Sequence, residues 1–337
     1  MTYPTIPAGA VGPGGGWWRG PGLDGTGPDG CTFGRVIVVA GEALIDLVPE
    51  RPGDRLGPLS PRLGGGPYNT AVALGRLGAE AAFCSRVSTD GFGEALLDGL
   101  RAAGVDTSLV QRGPEPTTLA VATVGPDGAA GYGFYASGTA DRLFELPPAL
   151  PSGVRALALG TCSLVLEPGA SAYEALLRRE SGRGVFTLLD PNIRPGLVPD
   201  ADAYRARFRS WLPYVSLLKL SEEDAAWLGG GVESWLAAGP EAVVLTRGAA
   251  GMTVWTRSGP REVSVPGERV EVVDTIGAGD TVNAALLHVV AGRGRLSAAQ
   301  WRTALSYAAH AAALTCGKRG AEPPYAAALG SPTPPLP

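Results

Sequence analysis

Asp280 owes its interest to the residues in front of it. The stretch Val272-Val273-Asp274-Thr275-Ile276-Gly277-Ala278-Gly279-Asp280-Thr281 leads from two β-branched residues, expected to end a strand, into a Gly-Ala-Gly turn. An apolar run with helical spacing follows at Val282, Ala285, Leu286 and Val289. Glycine lets a backbone come close to a ligand, because no Cβ intervenes. A helix N-terminus adds unpaired N–H groups and about half a unit of positive charge. The N–H groups of Gly277, Ala278 and Gly279 therefore suit a phosphoryl group. A carboxylate beside a phosphate repels it, so Asp280 makes sense as a base that takes a proton from an attacking hydroxyl. The other reading is that Asp280 only caps the helix.

A second glycine-rich stretch lies far upstream, Gly64-Gly65-Gly66-Pro67-Tyr68-Asn69-Thr70-Ala71-Val72-Ala73-Leu74-Gly75-Arg76-Leu77-Gly78. Pro67 suits the first turn of a helix, and Gly78 suits its stop. Asn69, near the helix start, offers a donor and an acceptor to a polyol, or else a local cap. Asp46 interrupts the apolar run of Gly41-Glu42-Ala43-Leu44-Ile45-Asp46-Leu47 and is expected to face a cleft or solvent. The downstream Asp-Thr-Ile-Gly-Ala-Gly-Asp resembles the C-terminal signature of the ribokinase-like (PfkB) carbohydrate kinases. The Gly-Gly-Gly-Pro-Tyr-Asn stretch resembles their N-terminal signature. The resemblance spans residues 35 to 325.

That resemblance implies transfer of the γ-phosphoryl group of ATP to a primary hydroxyl of a sugar, with Mg²⁺ on the phosphates. It makes Asp280 the base and Gly277, Ala278 and Gly279 the anion hole. It puts Asp46, Gly65 and Asn69 on the sugar. Asn192 and Arg194, in Asp190-Pro191-Asn192-Ile193-Arg194-Pro195, are implied to face the phosphates or the reacting end of the sugar. Lys219-Leu220-Ser221-Glu222-Glu223-Asp224 aligns with the family's Asn-x-x-Glu magnesium motif, with Lys219 and Ser221 toward the nucleotide. Ser221 and Asp224 depart from that motif. The carboxylate is shorter and its neighbour weaker, which leaves Glu223 as a substitute metal ligand.

Thr246-Arg247-Gly248-Ala249-Ala250-Gly251 looks like the nucleotide loop. Thr246 is implied to bond a phosphate, and Gly248 and Gly251 to let the nucleotide lie close. Ala309 stands where relatives often carry asparagine, so adenine contact is expected to rely on backbone and apolar packing. Asp274 and Thr275 are implied to shape a monovalent-cation site for potassium. Ala136 replaces an arginine frequent in relatives acting on fructose or ketodeoxy-sugar acids, which removes a fork suited to an acid group. Gly-Glu-Ala-Leu-Ile-Asp and Gly-Gly-Gly-Pro-Tyr-Asn-Thr-Ala resemble fructokinases more than ribokinases or nucleoside kinases. Fructose is thus the leading substrate, with 2-keto-3-deoxygluconate, ribose and nucleosides as alternatives. A non-catalytic sugar-binding regulator is the alternative of a different class.

Composition narrows the field. The chain has 337 residues and 45% hydrophobic content, ample for a sizeable core. Net charge is −4 and the basic residues are scattered, so no stripe suits nucleic acid. Only Lys219 and Lys318 are lysines. Cys31, Cys84, Cys162 and Cys316 lack Cys-x-x-Cys spacing, which fits reduced thiols in a cytoplasm rather than zinc or disulfides. His288 and His310 are too few for a histidine metal site and read as helix-packing residues. No apolar run reaches about 18 residues, so no membrane span is expected. No Gly-x-x-x-x-Gly-Lys-Ser/Thr occurs, and the Gly12 to Gly16 cluster has no following helix to make a dinucleotide site.

Residues 1–34 are Gly/Pro-rich, without the pattern of a signal peptide, and are expected to be disordered, as is a tail at 329–337. Trp17-Trp18 is the one oddity there. Between them, strands are expected at 35–40, 81–87, 154–159, 185–189, 215–220 and 242–246, alternating with helices. That alternation implies one α/β domain over 35–328, with a parallel sheet sandwiched by helices. Strand-like runs at 117–124 and 131–136 flank Pro126-Asp127-Gly128, a hairpin signal. The resemblance makes these, with segments near 43–63 and 108–140, a small β lid over the sugar, and a homodimer through the lid is expected.

Overall fold

The computed structural model describes residues 35–51, 54, 56–124 and 130–329. The expected disorder at 1–34, Trp17-Trp18, Cys31, the Pro126-Asp127-Gly128 turn and the tail beyond Leu329 lie outside the described residues.

The chain runs β1 (Val36–Ala40), β2 (Leu44–Pro49), β3 (Leu59–Gly64), α1 (Gly66–Arg76), β4 (Ala81–Ser88) and α2 (Gly91–Ala102). Next come β5 (Val110–Gly113), β6 (Leu119–Val124), β7 (Ala130–Tyr135), β8 (Val154–Gly160), α3 (Gly169–Gly182), β9 (Phe186–Asp190) and α4 (Ala201–Trp211). The last third holds β10 (Leu217–Ser221), α5 (Glu222–Leu228), α6 (Val232–Ala238), β11 (Ala242–Thr246), β12 (Met252–Thr256) and β13 (Glu262–Val265). It closes with α7 (Ala278–Val290), α8 (Ala298–Cys316) and α9 (Ala326–Leu329).

Nine strands form one sheet in the order β13-β12-β11-β10-β9-β8-β1-β4-β5. The strands from β11 to β5 are parallel. Such strands are covered on both faces and read as apolar runs. One face packs on α1, α2, α7 and α8 through Leu74, Leu96, Leu286 and Leu305. The other packs on α3, α4 and α6 through Leu177, Phe208 and Trp235. From β1 the chain winds outward in both directions, to β4 on one side and β8 on the other. Such a switch point opens a crevice at the carboxyl ends of the strands.

A second sheet, β3-β2-β6-β7, hangs beside the first. The chain bends at Gly41, whose φ is +149°, and β2 belongs to the second sheet. Residues 110–113, within the segment assigned to the lid, instead form the edge strand β5 of the large sheet. Val272 and Val273 do not end a strand. They lie in an irregular loop, 60% and 56% exposed. The Val273 and Asp274 N–H groups donate to the Cys316 carbonyl at the end of α8, at 2.9 and 3.2 Å. β12 and β13 add an antiparallel edge that the strand–helix alternation did not announce.

Candidate active site

The two glycine-rich stretches meet at Asp280. Asn69 Nδ2, in the first turn of α1, donates to Asp280 Oδ2, in the first turn of α7, at 2.9 Å. Thr70 Oγ1 donates to the Asp280 carbonyl at 3.3 Å. The capping alternative for Asp280 is not what forms. Gly277 is the N-cap, in the left-handed region at φ +77°, and no side chain caps the helix. A Cβ there would come within 2.6 Å of Ala321 Cβ, so the turn requires glycine. The Ala278 N–H makes only a long 3.3 Å bond to the Thr275 carbonyl. Gly66 lets α1 pass close, because a Cβ on it would lie 3.3 Å from Asp280 Oδ1 and 3.5 Å from Asn192 Nδ2.

Beneath the Gly-Ala-Gly turn sits a buried ion pair. Lys219 Nζ on β10 lies 2.9 Å from Asp190 Oδ2 at the end of β9, with both side chains almost wholly buried. Asn283 Nδ2, one turn beyond Asp280, donates to the same oxygen at 2.7 Å. A Cβ on Gly279 would lie 3.0 Å from Lys219 Nζ, so the ammonium underpins the helix N-terminus. Burial works to lower the Lys219 pKa, but the charge and hydrogen bond of Asp190, with Asp224 and Asp280, outweigh it and hold the pKa above its ordinary value. Burial pushes the Asp280 pKa up to about 7. The Asn69 bond opposes that rise, Asp190 adds to it, and Lys219 and Arg194 work against it.

Asp46, on β2, faces the same crevice from the small sheet. Burial raises its pKa to about 6 against the pull of Arg194. Arg194 Nη1 is held by the Asn192 carbonyl at 2.9 Å and Asn192 Oδ1 at 2.7 Å. Asn192 itself is left-handed, at φ +39°. A Cβ on Gly65 would meet the Glu42 carbonyl at 2.7 Å, so Gly65 serves the close crossing of α1 over the β1–β2 bend.

A family profile, "pfkB family carbohydrate kinase", matches residues 35–328. The chain belongs to the pfkB carbohydrate kinase family. A fructokinase of Rhizobium leguminosarum bv. trifolii is 41% identical over 260 residues, covering 75% of this chain and 78% of the relative. The structure of a Xylella fastidiosa fructokinase with bound ATP superposes with a TM-score of 0.76 at 28% identity, over 86% of this chain and 94% of that one. A double-mutant fructokinase of Vibrio cholerae O395, with fructose, ADP and potassium ion bound, gives 0.77 at 26% identity, over 89% and 98%.

The remaining family positions divide by what holds them. Asp224 commits both oxygens: Oδ1 to the Ile193 N–H at 2.7 Å, Oδ2 to the Ser221 N–H at 3.1 Å and hydroxyl at 2.8 Å. It ties the Asn192 loop to the N-terminus of α5, while Glu223 is exposed beside it. Asp274 likewise binds the N–H groups of Ile276 and Gly320, at 3.0 and 2.8 Å, and Thr275 is exposed. Thr246 Oγ1 donates to the Leu220 carbonyl at the ends of β11 and β10. Gly248 is left-handed at φ +50° with open space where a Cβ would point. Gly251 is a packing glycine, since a Cβ would strike the Val265 carbonyl at 2.1 Å. Ala309 is buried in the cluster beneath α8.

Several residues of the crevice escaped the sequence reading. Glu42, wholly buried, accepts hydrogen bonds from the Thr161 and Ser163 hydroxyls and from the Ser163 N–H at 3.0 Å. It thereby holds Thr161 at φ +61°, an outlier for a β-branched residue, with its methyl against Gly66. A charge inside an apolar run marked Glu42 as unusual, but nothing local pointed to Thr161. Asn283 was visible as the one amide on the apolar face of α7. Tyr132 on β7 shares the Asp46 face of the small sheet, through the pairs Asp46–Ala120 and Ala122–Tyr132. Burial and the Asp46 charge raise its pKa.

Proposed function

We propose that this chain is an ATP-dependent fructokinase that makes fructose 6-phosphate. The observation that carries the reading is the Asn69–Asp280 bond, which joins two signatures 211 positions apart over a glycine-edged helix N-terminus. The 41% identity to a fructokinase supports fructose as the acceptor. Asp46, Gly65 and Asn69 hold the sugar so that its primary hydroxyl points at Asp280. Asp280 takes the hydroxyl proton as the oxygen attacks the γ-phosphorus, and ADP leaves. Proton transfer late in a loose transition state asks little of the base. The N–H groups of Gly277, Ala278 and Gly279, with Lys219 beneath them, receive the charge on the transferring group. Asn192 and Arg194 would meet the phosphates or the reacting end of the sugar, since Arg194 already acts on Asp280 and Asp46. Ser221, Thr246 and Gly248 border the nucleotide, and Ala309 lies beneath the adenine side.

Magnesium fits this donor set only through its own waters, since Asp224 has both oxygens engaged. Asp224 and Glu223 would hold those waters, and the ion would neutralise charge on the phosphates. A potassium ion near Thr275 would draw on backbone carbonyls, with Asp274 bracing the loop. The small sheet acts as a lid that excludes water from ATP, and it pairs with the lid of a second copy.

The test is ADP release with Mg·ATP across fructose, ribose, 2-keto-3-deoxygluconate, tagatose and adenosine. Fructose is expected to turn over fastest and Asp280→Ala to abolish it. Silence on every sugar, with one of them still raising Tm, would replace the kinase by a sugar-binding regulator.

A further inference from the structure

The end of the sheet opposite Asp280 holds a second cavity, of about 390 Å³. Its floor is apolar, made where β9, β10 and β11 begin, by Phe186, Leu217 and Ala242. Trp301 of α8 forms a wall, and Arg293, Arg295 and Ser258 stand at the rim. Glu241, the acid among the lining residues, is already paired with Arg257 and accepts a 3.0 Å bond from Ser258 Oγ. Among the described residues no carboxylate pairs with Arg293 or Arg295. Arg155 packs behind them, since a Cβ on Gly292 would lie 3.6 Å from its Cδ, and its Nε is buried without a partner. Burial, then Arg293, lowers the Arg155 pKa, and burial with Arg155 and Arg293 lowers that of His288, whose Nδ1 is also buried and unpartnered. Glu80 offsets part of the charge at Arg155, whereas Arg293 and Arg295 keep no carboxylate partner among the described residues.

The chemistry of an occupant follows. A volume of about 300–1,000 Å³ suits a small organic molecule and far exceeds an inorganic ion. Two free guanidinium forks select a phosphate or carboxylate, and the apolar floor selects a body that sheds water. We propose that this cavity binds a small organic anion, with its charged group on Arg293 and Arg295 and its apolar body against Trp301 and Leu217. Val290, the last residue of α7, also lines the cavity, and Asp280 lies in the first turn of the same helix. The helix spans 13 residues, or about 20 Å at 1.5 Å per residue. The cavity thus lies at the far end of the helix that carries Asp280.

The probe is 1-anilinonaphthalene-8-sulfonate, an anion with a flat apolar body, titrated into the full chain by fluorescence. One saturable site is expected. The Arg293→Glu/Arg295→Glu double variant should weaken it at least tenfold, and Ser258→Trp, which fills the rim, should abolish it. Both variants should keep the parent Tm and turnover, which separates loss of the site from loss of the fold. Displacement by phenyl phosphate or by benzoate identifies the preferred charged group. No saturable signal, a signal unchanged in both variants, or displacement by neither anion overturns the proposal.

Discussion

To accept a proton at neutral pH the Asp280 carboxylate has to be ionised, and its burial resists that. With its pKa raised to about 7, roughly half of the ligand-free enzyme carries the base form at that pH. The acid limb of kcat/KM reports groups of the free enzyme, so kcat/KM is expected to rise with pH through about 7 and then level off. Asp280→Asn should lower kcat by about 10²–10⁴ and remove that limb. Stability should move the other way. A carboxyl whose folded pKa lies above its unfolded value contributes stability at low pH and loses it as pH rises through the folded pKa. Asp280→Asn is therefore expected to have a higher Tm than the parent at pH 8, with the gap closing as pH falls toward 4. A stability gain with lost turnover marks a residue kept for chemistry. Equal Tm values at pH 8 and an unchanged acid limb would remove Asp280 from the role of base.

The elements around Asp280 are held by a pair that neither strand announces. Lys219 and Asp190 sit in apolar runs of β10 and β9, and although the resemblance set Lys219 toward the nucleotide, nothing in either strand pairs it with Asp190. Their partnership depends on the two strands being neighbours in parallel register, Leu217 with Leu188 and Leu218 with Leu189. Removing one partner leaves a buried charge unpaired, which costs about 3–5 kcal/mol. Lys219→Met should lose that much in urea denaturation with an unchanged m-value, and Lys219→Met/Asp190→Asn should recover much of it. No shift in the midpoint would mean that water reaches the pair. The same reasoning divides what could be read from the chain. β1, β4, β8, β9, β10 and β11 were legible because strands buried on both faces must be apolar and β-rich. The two glycine stretches were legible because a backbone that approaches a ligand needs glycine in order. Val272-Val273 misled because β-branched residues tolerate any extended loop, here one paired to the end of α8. Thr161 was illegible because the partner that holds its backbone, Glu42, lies 119 positions away.

At the scale of the whole molecule, the small sheet has two faces with different demands. On one, Asp46, Arg62, Ala120 and Phe134 share register and look into the crevice. The other presents Leu59, Leu63 and Tyr135, 40%, 37% and 66% exposed. The crevice face has a polar ligand to contact. Within one copy the outer face is covered at Ile45, which joins the main core, and Leu63 reaches toward Gly99 of α2. Leu59, Tyr135 and the open side of Leu63 are left as a strip, and burying it is favourable at about 25 cal/mol per Å² of apolar surface. A second copy supplies the same apolar strip, so a two-fold pairing is self-complementary. Sedimentation velocity at micromolar concentration should therefore give a dimer, and Leu63→Glu/Tyr135→Glu a monomer. These positions face away from Asp46, so kcat should survive in the monomer. KM for the sugar should rise, because a lid braced by its partner loses less freedom on closing. A monomeric parent chain, or a double variant that still sediments as a dimer, would move the pairing surface elsewhere. Unchanged KM in a true monomer would show that the lid closes on its own.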